Sequence, residues 1–488
     1  MVTRLSTQDA LFYYLDEQSA TSHLGSLLIL DRGADELQYD RLLATVESRL
    51  GAVPRYRQRI REVGLGIGRP VWVDDTGFDI TYHVRRSALP SPGADDQLHD
   101  LVARLMSRPL DRSRPLWEMY LVEGLAENRM AVLTKTHQAL VDGHDAVEIN
   151  QVLVDAHPQA PDAPQDIWLP APEPSDASLV VGALTDVASR PWELVGAVRV
   201  LSAPVAGIGS AVSGSLRRAG SMLRFATDGA PDSPLNGQTS GRRRFTVSSA
   251  DARDCARIAR RHDCSMTDVV LAAIAGALRR WLLSRDAVVD SSATVRALVP
   301  LGAYNGTGDA GHGDRGRADG RRDEGWDQID ESEWTAAGVR GFVTDLPVGE
   351  PNAAVRLSQV AHLTGRHSTS GRRVAMAARS WLPEIGPATF HAMTSRAAAT
   401  VSGRSFNLPI SIAGGGSAPQ YLAGNRIVAA YPVPALVPQR ALAIGLNHYN
   451  GRIFVAFNAD RDIMWDLASM PEYFAEAVGE LAARTSIP

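Results

Sequence analysis

At 488 residues, with 44% apolar and 22% charged side chains, the chain has room for two or more ordinary domains and the composition of a soluble globular protein. A net charge of −5 gives no basis for nucleic-acid binding, and two cysteines without a CxxC pair, Cys255 and Cys264, make neither a zinc site nor a disulfide framework. The N-terminal "MVTRLSTQDALFYYLDEQ" turns acidic before an apolar core forms, so it does not read as a signal peptide. The most apolar stretch, Val200–Ser215, is rich in small residues and holds a proline, so it does not read as a span. A reducing cytoplasm is the expected compartment.

In chain order, "STQDALFYYLDE" predicts a helix with Ser6 as its cap, and "HLGSLLILD" a buried strand. "YDRLLATVESRL" predicts an amphipathic helix with Leu42, Leu43, Val46 and Leu50 on one face. "PVWVDD" and "ITYHVRR" read as strands and "DDQLHDLVARLMSR" as a helix. "WEMYLVEGL" and "RMAVLTKTH" read as a strand pair about the turn "AENR", and "DAVEINQVLVD" as the helix that follows. Residues 158–175 are proline-dense and predict a linker. Residues 176–227 read as a helical connector; an amphipathic element lying on a lipid surface is the sharper alternative. "SMTDVVLAAIAGALRRWLLSR" is a strong helix and "ATVRALVPL" a strand. Residues 303–334 are charged and Gly-rich, the composition of a disordered insert. "LAIGLNHYNGRIFVAFNAD" is a hairpin turning at Asn450–Gly451.

The expected fold class is therefore α/β, with two halves. Residues 1–157 form a first domain, 158–240 a Pro-rich linker and helical connector, and 241–488 a second domain.

Several blocks resemble a known family. "PLDRSRPLWE", Pro109–Glu118, is the most specific, followed by "THQALVDG". "LPVGEP" (Leu346–Pro351), "YLAG" (Tyr421–Gly424) and "YNGR" (Tyr449–Arg452) add support. In order and spacing the chain resembles the bacterial wax ester synthase/diacylglycerol acyltransferase family over its whole length. The resemblance implies two chloramphenicol acetyltransferase-like domains, each a mixed sheet with helices, with a tunnel between them. It implies transfer of a fatty acyl group from acyl-CoA to a diacylglycerol or a long-chain alcohol, with no cofactor beyond acyl-CoA as substrate.

The family motif is HHxxxDG, and in the wider superfamily the second histidine is the base. The chemistry calls for one: a high-pKa alcohol must lose its proton as it attacks a thioester, and neutral imidazole can take it. In register, His137 matches the first histidine, Gln138 the second, Asp142 the aspartate and Gly143 the glycine. Gln138 can orient a hydroxyl but cannot accept its proton at neutral pH. Losing a general base typically costs ~10²–10⁴ in rate. His137 and Gln138 should face opposite ways if the segment is extended. His137 and His144 are the fallback bases, with His144 more simply read as a solvent-exposed first-turn residue. A metal site from His137, Asp142, His144 and Asp145 is weaker still, and none is expected. Asp111, Arg112, Arg114 and Glu118 are read as an ion-pair network around a core anchor, Trp117.

Other departures fall around the expected cleft. Thr267–Asp268 stands where the family has Asn–Asp, and "SIAGGG", Ser411–Gly416, where it has a "SNVPGP"-like stretch. A Gly–Asn pair before "LPVGEP" is missing. Thr267, Asp268, Ser411 and Gly414 are the candidate substrate-binding residues. The leading expectation is an acyltransferase with lowered or altered activity. The competitors are an inactive homologue that binds acyl-CoA or lipid or regulates a partner, and an acyltransferase with a different acceptor. The expected surroundings are the cytoplasm, the inner face of the membrane or the surface of lipid inclusions. Neither a GxSxG elbow nor a GxxxxGK[ST] phosphate loop is present.

Overall fold

The structure, a computed structural model, describes residues 3–5, 9–10, 13–14, 23–32, 37–64, 68–141, 149–159, 168–189, 229–300, 340–370, 374–375, 406–414, 416 and 418–483. The first half runs through β1 (Thr3–Arg4), β2 (His23–Asp31), α1 (Tyr39–Arg49), β3 (Gln58–Arg61) and β4 (Val71–Asp74). It continues through α2 (Ile80–His83), β5 (Val84–Ala88), α3 (Asp95–Met106), β6 (Trp117–Leu125), β7 (Arg129–His137) and α4 (Gln138–Val141). It closes with α5 (Ile149–Leu153), β8 (Val154–Asp155) and α6 (Asp176–Ser189). The second half opens with β9 (Arg243–Asp251), α7 (Ala252–Arg261), α8 (Met266–Leu283), β10 (Val295–Pro300), β11 (Arg340–Leu346) and α9 (Ala353–Ser370). β12 (Val374–Ala375), β13 (Leu408–Gly414), β14 (Tyr421–Leu422), β15 (Asn425–Val433), β16 (Leu442–Tyr449), β17 (Arg452–Asp460) and α10 (Met470–Ala483) follow.

The strands form two seven-stranded mixed sheets and a small three-stranded one, ordered β1-β4-β3. The first large sheet runs β5-β6-β7-β2-β15-β14-β8, the second β12-β11-β10-β13-β16-β17-β9. Both expected hairpins form. Glu127 and Asn128 take positive φ in the β6–β7 turn, as do Asn450 and Gly451 between β16 and β17. The segment "ITYHVRR", expected to be all strand, divides in two. The Asp79 carboxylate accepts from Thr81 N at 2.9 Å and closes the helical turn α2, so the strand starts only at Val84. Helix α6 packs Leu179 and Ala183 onto Val63, Val71 and Val73, while Arg61 pairs with Asp176 at 2.6 Å. That is the described part of the expected connector. The segment from 190 to 227 and the insert at 303–334 lie outside the described residues.

The partition of residues 241–488 into one separate domain needs correction. β14 and β15 leave the second half and join the first sheet, where β15 pairs antiparallel with β2 from Ile427↔Leu30 to Val433↔Gly25. A period-two strand signal says which face is buried but not which sheet the strand joins, so the exchange is invisible locally. The returning chain is then clamped onto the second sheet. Asn447 Nδ2 donates to Ala430 O at 2.9 Å, Asn458 Nδ2 to Pro434 O at 2.8 Å, and the Tyr449 hydroxyl to Ile427 O at 2.9 Å. A shared apolar cluster, including Leu27, Leu101, Phe245, Val433 and Ala456, fills the seam.

Gly445 on β16 makes the clamp close. A Cβ there would meet Pro432 O at 2.6 Å and Pro432 Cγ at 2.9 Å. Gly445→Ala should therefore lower the free energy of unfolding by ~1–3 kcal/mol, as overpacking does. Denaturant titration checks this against Gly479→Ala, where a Cβ meets nothing within 4 Å and no loss is expected.

Candidate active site

β7 is buried along almost all of its length and delivers the "THQALVDG" segment to the end of the first sheet. The strand stops at His137, and Gln138 is the first residue of the short helix α4. The segment is therefore not extended across both residues: a strand-to-helix break falls between them. His137 is 2% exposed and faces His23, its register partner on β2, with ring centroids 6.1 Å apart. Its Nδ1 accepts a hydrogen bond from Ala139 N at 3.1 Å. That bond assigns the proton of a neutral ring to Nε2. Taking a proton at Nε2 would require the other tautomer and the loss of the bond to Ala139. Gln138 is half-buried at the junction. Asp142, Gly143 and His144 lie outside the described residues.

The surroundings of the junction are built from the "PLDRSRPLWE" block. Trp117 is 1% exposed, donates Nε1–H to Tyr56 O at 2.8 Å and stacks on the His83 ring at 4.6 Å between centroids. The ion-pair network expected there is redistributed. Asp111 and Arg114 pair only loosely, at 3.7 Å on the surface. Arg112 donates to Tyr13 O at 2.7 Å and lies over the Tyr13 ring. Glu118 turns instead to Arg85 at 3.2 Å and accepts from the Tyr120 hydroxyl at 2.7 Å. Burial and that carboxylate push the Tyr120 phenol above its ordinary range.

Lys135, the only lysine of the chain, is fully buried on β7. Its ammonium donates to Leu105 O at 3.0 Å and to Arg108 O, fastening the C-terminal end of α3 to the strand. A lysine within an otherwise apolar strand pattern was the signal for this role.

A cavity of about 140 Å³ opens where the two sheets meet. Leu24, Gly25 and Ser26 of β2 and Thr136 of β7 form one wall; Ser411, Ile412 and Ala413 of β13 face them. The exit of β15, from Ala430 to Pro434, and Asn447 of β16 close it. Thr136 directly precedes His137, so the cavity lies beside the motif. Drug-sized ligands need roughly 300–1,000 Å³, so this space takes one part of a substrate. Of the candidate substrate-binding residues, Ser411 lines the cavity and Gly414 ends the same strand, in register with His448. Thr267 and Asp268 sit at the start of α8, outside the lining. There the Asp268 carboxylate accepts from Ser265 N at 2.8 Å, closing a capping box, and from the Thr364 hydroxyl of α9 at 2.5 Å. Asn447 was missed in the sequence, where it reads as one polar residue in a hairpin strand. Burial pushes the thiols of Cys255 and Cys264 up to about 12, which removes both as nucleophiles near neutral pH.

The model of the wax ester synthase/diacylglycerol acyltransferase catalytic domain matches residues 5–270, and that of the WS/DGAT C-terminal domain residues 339–482. The chain belongs to the wax ester synthase/diacylglycerol acyltransferase family. It is 48% identical over 278 residues to the Mycobacterium tuberculosis protein named "Probable diacyglycerol O-acyltransferase tgs3", covering 55% of this chain and 99% of that one. It is 28% identical over 492 residues to "Probable diacyglycerol O-acyltransferase tgs1" of the same organism, covering 99% of this chain and 96% of that one. Among solved structures, the wax ester synthase/diacylglycerol acyltransferase from Marinobacter aquaeolei VT8 superposes with a TM-score of 0.67 at 24% identity, covering 99% and 100% of the two chains. The first condensation domain of the calcium-dependent antibiotic synthetase superposes at 0.56 and 16% identity, covering 100% and 98%. These likenesses show the two-part α/β fold expected from the family blocks.

The Trp117 platform carries a pH dependence. His83 Nδ1 donates to Trp117 O at 2.8 Å, while Nε2 is buried with no donor among the described residues. Burial lowers the His83 pKa from its ordinary 6.5. The unfolded chain then binds a proton on acidification before the folded one does. Stability is unaffected above pH 6.5 and falls as pH drops from there toward the depressed folded-state value. Urea unfolding at pH 7.5 and 5.5 should show a smaller loss in His83→Gln, which keeps a donor for Trp117 O, than in the wild type.

Proposed function

We infer that this protein transfers a fatty acyl group from acyl-CoA to the hydroxyl of a lipid alcohol, with diacylglycerol the principal acceptor and a long-chain alcohol the second. The observation that supports it most is the match of the catalytic-domain model to the residues that carry the β7–α4 junction and the wall of the cavity. Diacylglycerol is the acceptor in the names of the mycobacterial relatives. The reaction needs no cofactor beyond acyl-CoA as substrate. Attack by the alcohol on the thioester carbon, with coenzyme A thiol leaving, completes it in one transfer.

In this reading Gln138 holds the acceptor hydroxyl by a hydrogen bond where the family motif has a base, and the proton passes to solvent. Asp142 and Gly143 shape the turn. His144 is the alternative base; His137 is the weaker one, because its Nδ1 is committed to Ala139 N. Ser411 and Gly414 contact the substrate, and Thr267 and Asp268 hold the helix beside it. Among the described residues no helix is long and apolar enough to cross a membrane. In the same reading, the lipid nature of the acceptor brings substrate to the protein from a surface it touches peripherally, at the membrane or a lipid inclusion.

Wild type and Gln138→His, given labelled acyl-CoA with diacylglycerol or hexadecanol, test this. Both should form ester, and the variant should be faster by ~10²-fold or more, the usual value of a general base. Absence of ester with either protein, while acyl-CoA still binds, would overturn the reading.

A further inference from the structure

Asn447 occupies a position that its structural role does not exhaust. The residue is 6% exposed and lines the cavity between the sheets. Donation of Nδ2 to Ala430 O at 2.9 Å fixes which way the amide lies. Oδ1 is then buried, and no donor among the described residues reaches it. A buried carbonyl oxygen is normally paired. The cavity borders the same side chain, and a small shift of the amide would bring this oxygen to a donor that enters there.

We propose that Asn447 Oδ1 accepts a hydrogen bond from the hydroxyl of the lipid alcohol and thereby selects and orients the acceptor substrate. The chemistry of the ligand follows from the direction of the bond. A thioester has only acceptor atoms, and an acyl chain has neither donor nor acceptor. The alcohol brings the O–H that the site lacks. The rest of the lining suits a lipid. Leu24, Ile412, Val433 and Pro434 are apolar, and Thr136 is two residues before Gln138. The proposal rests on the acyl-transfer reading and adds the residue that recognises the acceptor.

Asn458 supplies an internal comparison. It is 3% exposed, donates Nδ2 to Pro434 O at 2.8 Å, and likewise leaves Oδ1 without a donor among the described residues. It clamps the same returning chain but does not line the cavity. A purely structural role would make the two asparagines equivalent.

Equilibrium binding of 1-hexadecanol and of 1-fluorohexadecane, which matches its size but lacks the donor, separates the cases on the full-length protein. Wild type and Asn458→Leu should prefer the alcohol about tenfold, the worth of one ordinary hydrogen bond. Asn447→Leu should bind both equally, with palmitoyl-CoA affinity unchanged. Equal binding of the two by wild type would overturn the proposal, and so would a preference kept in Asn447→Leu. A fall in palmitoyl-CoA affinity in Asn447→Leu with the alcohol preference intact would also overturn it, because the donor would then be a pantetheine amide. If Asn447→Leu does not fold, the wild-type comparison decides alone. Binding is read without turnover, so adding labelled acyl-CoA tests the transfer reading separately.

Discussion

The structure depends on one crossing of the chain. β15 comes from the second half and lies inside the first sheet between β2 and β14. Its exit is hydrogen-bonded to Asn447 and Asn458 on the second sheet. A strand shared in this way fixes the separation of the two sheets, because moving one would break main-chain pairing in the other. The cavity lies at that seam. Its walls come from β2, β7, β13, β15 and β16, so no single half of the chain could form it. Buried main-chain groups must keep their partners, which turns the crossover into a rigid constraint on the site.

Much of the fold was legible. β6, β7, β16 and β17 carry β-rich apolar runs bounded by turn residues, and α8 carries a continuous apolar run behind the cap at Ser265. These signals are local. The exchange of β14 and β15 between sheets was not legible, because strand pairing at long separation leaves no mark on either strand. The turn at Ile80–His83 was missed for the opposite reason. A single capping carboxylate, Asp79, overrides β-branched and aromatic residues that favour strand.

The site was legible only in part. The motif located the end of β7, and Ser411, singled out through the altered loop sequence, lines the cavity. Gln138 stood out only against the family pattern; propensity gives no reason to notice it. Asn447 and Lys135 escaped because their roles depend on carbonyls far away in sequence, at Ala430 and at Leu105 and Arg108. Asp268 was expected at the substrate, and its visible bonds are to Ser265 and Thr364. A polar residue at the head of an apolar helix is ambiguous between capping and binding until its partners are seen.

The chemical account is that positioning remains where the proton acceptor has been replaced. A shaped seam, an oriented amide and a strand-to-helix turn can place a hydroxyl against a thioester. In the proposed reading, a carboxamide at position 138 leaves deprotonation to solvent. The most direct measurement is the pH dependence of kcat/KM for acyl transfer by the wild-type protein between pH 5.5 and 9. The account predicts a rate that rises steadily with pH and shows no inflection near about 6.5, the ordinary histidine value. A sigmoid with its midpoint between about 6 and 7 and a plateau above it would show an imidazole base at work and contradict the account.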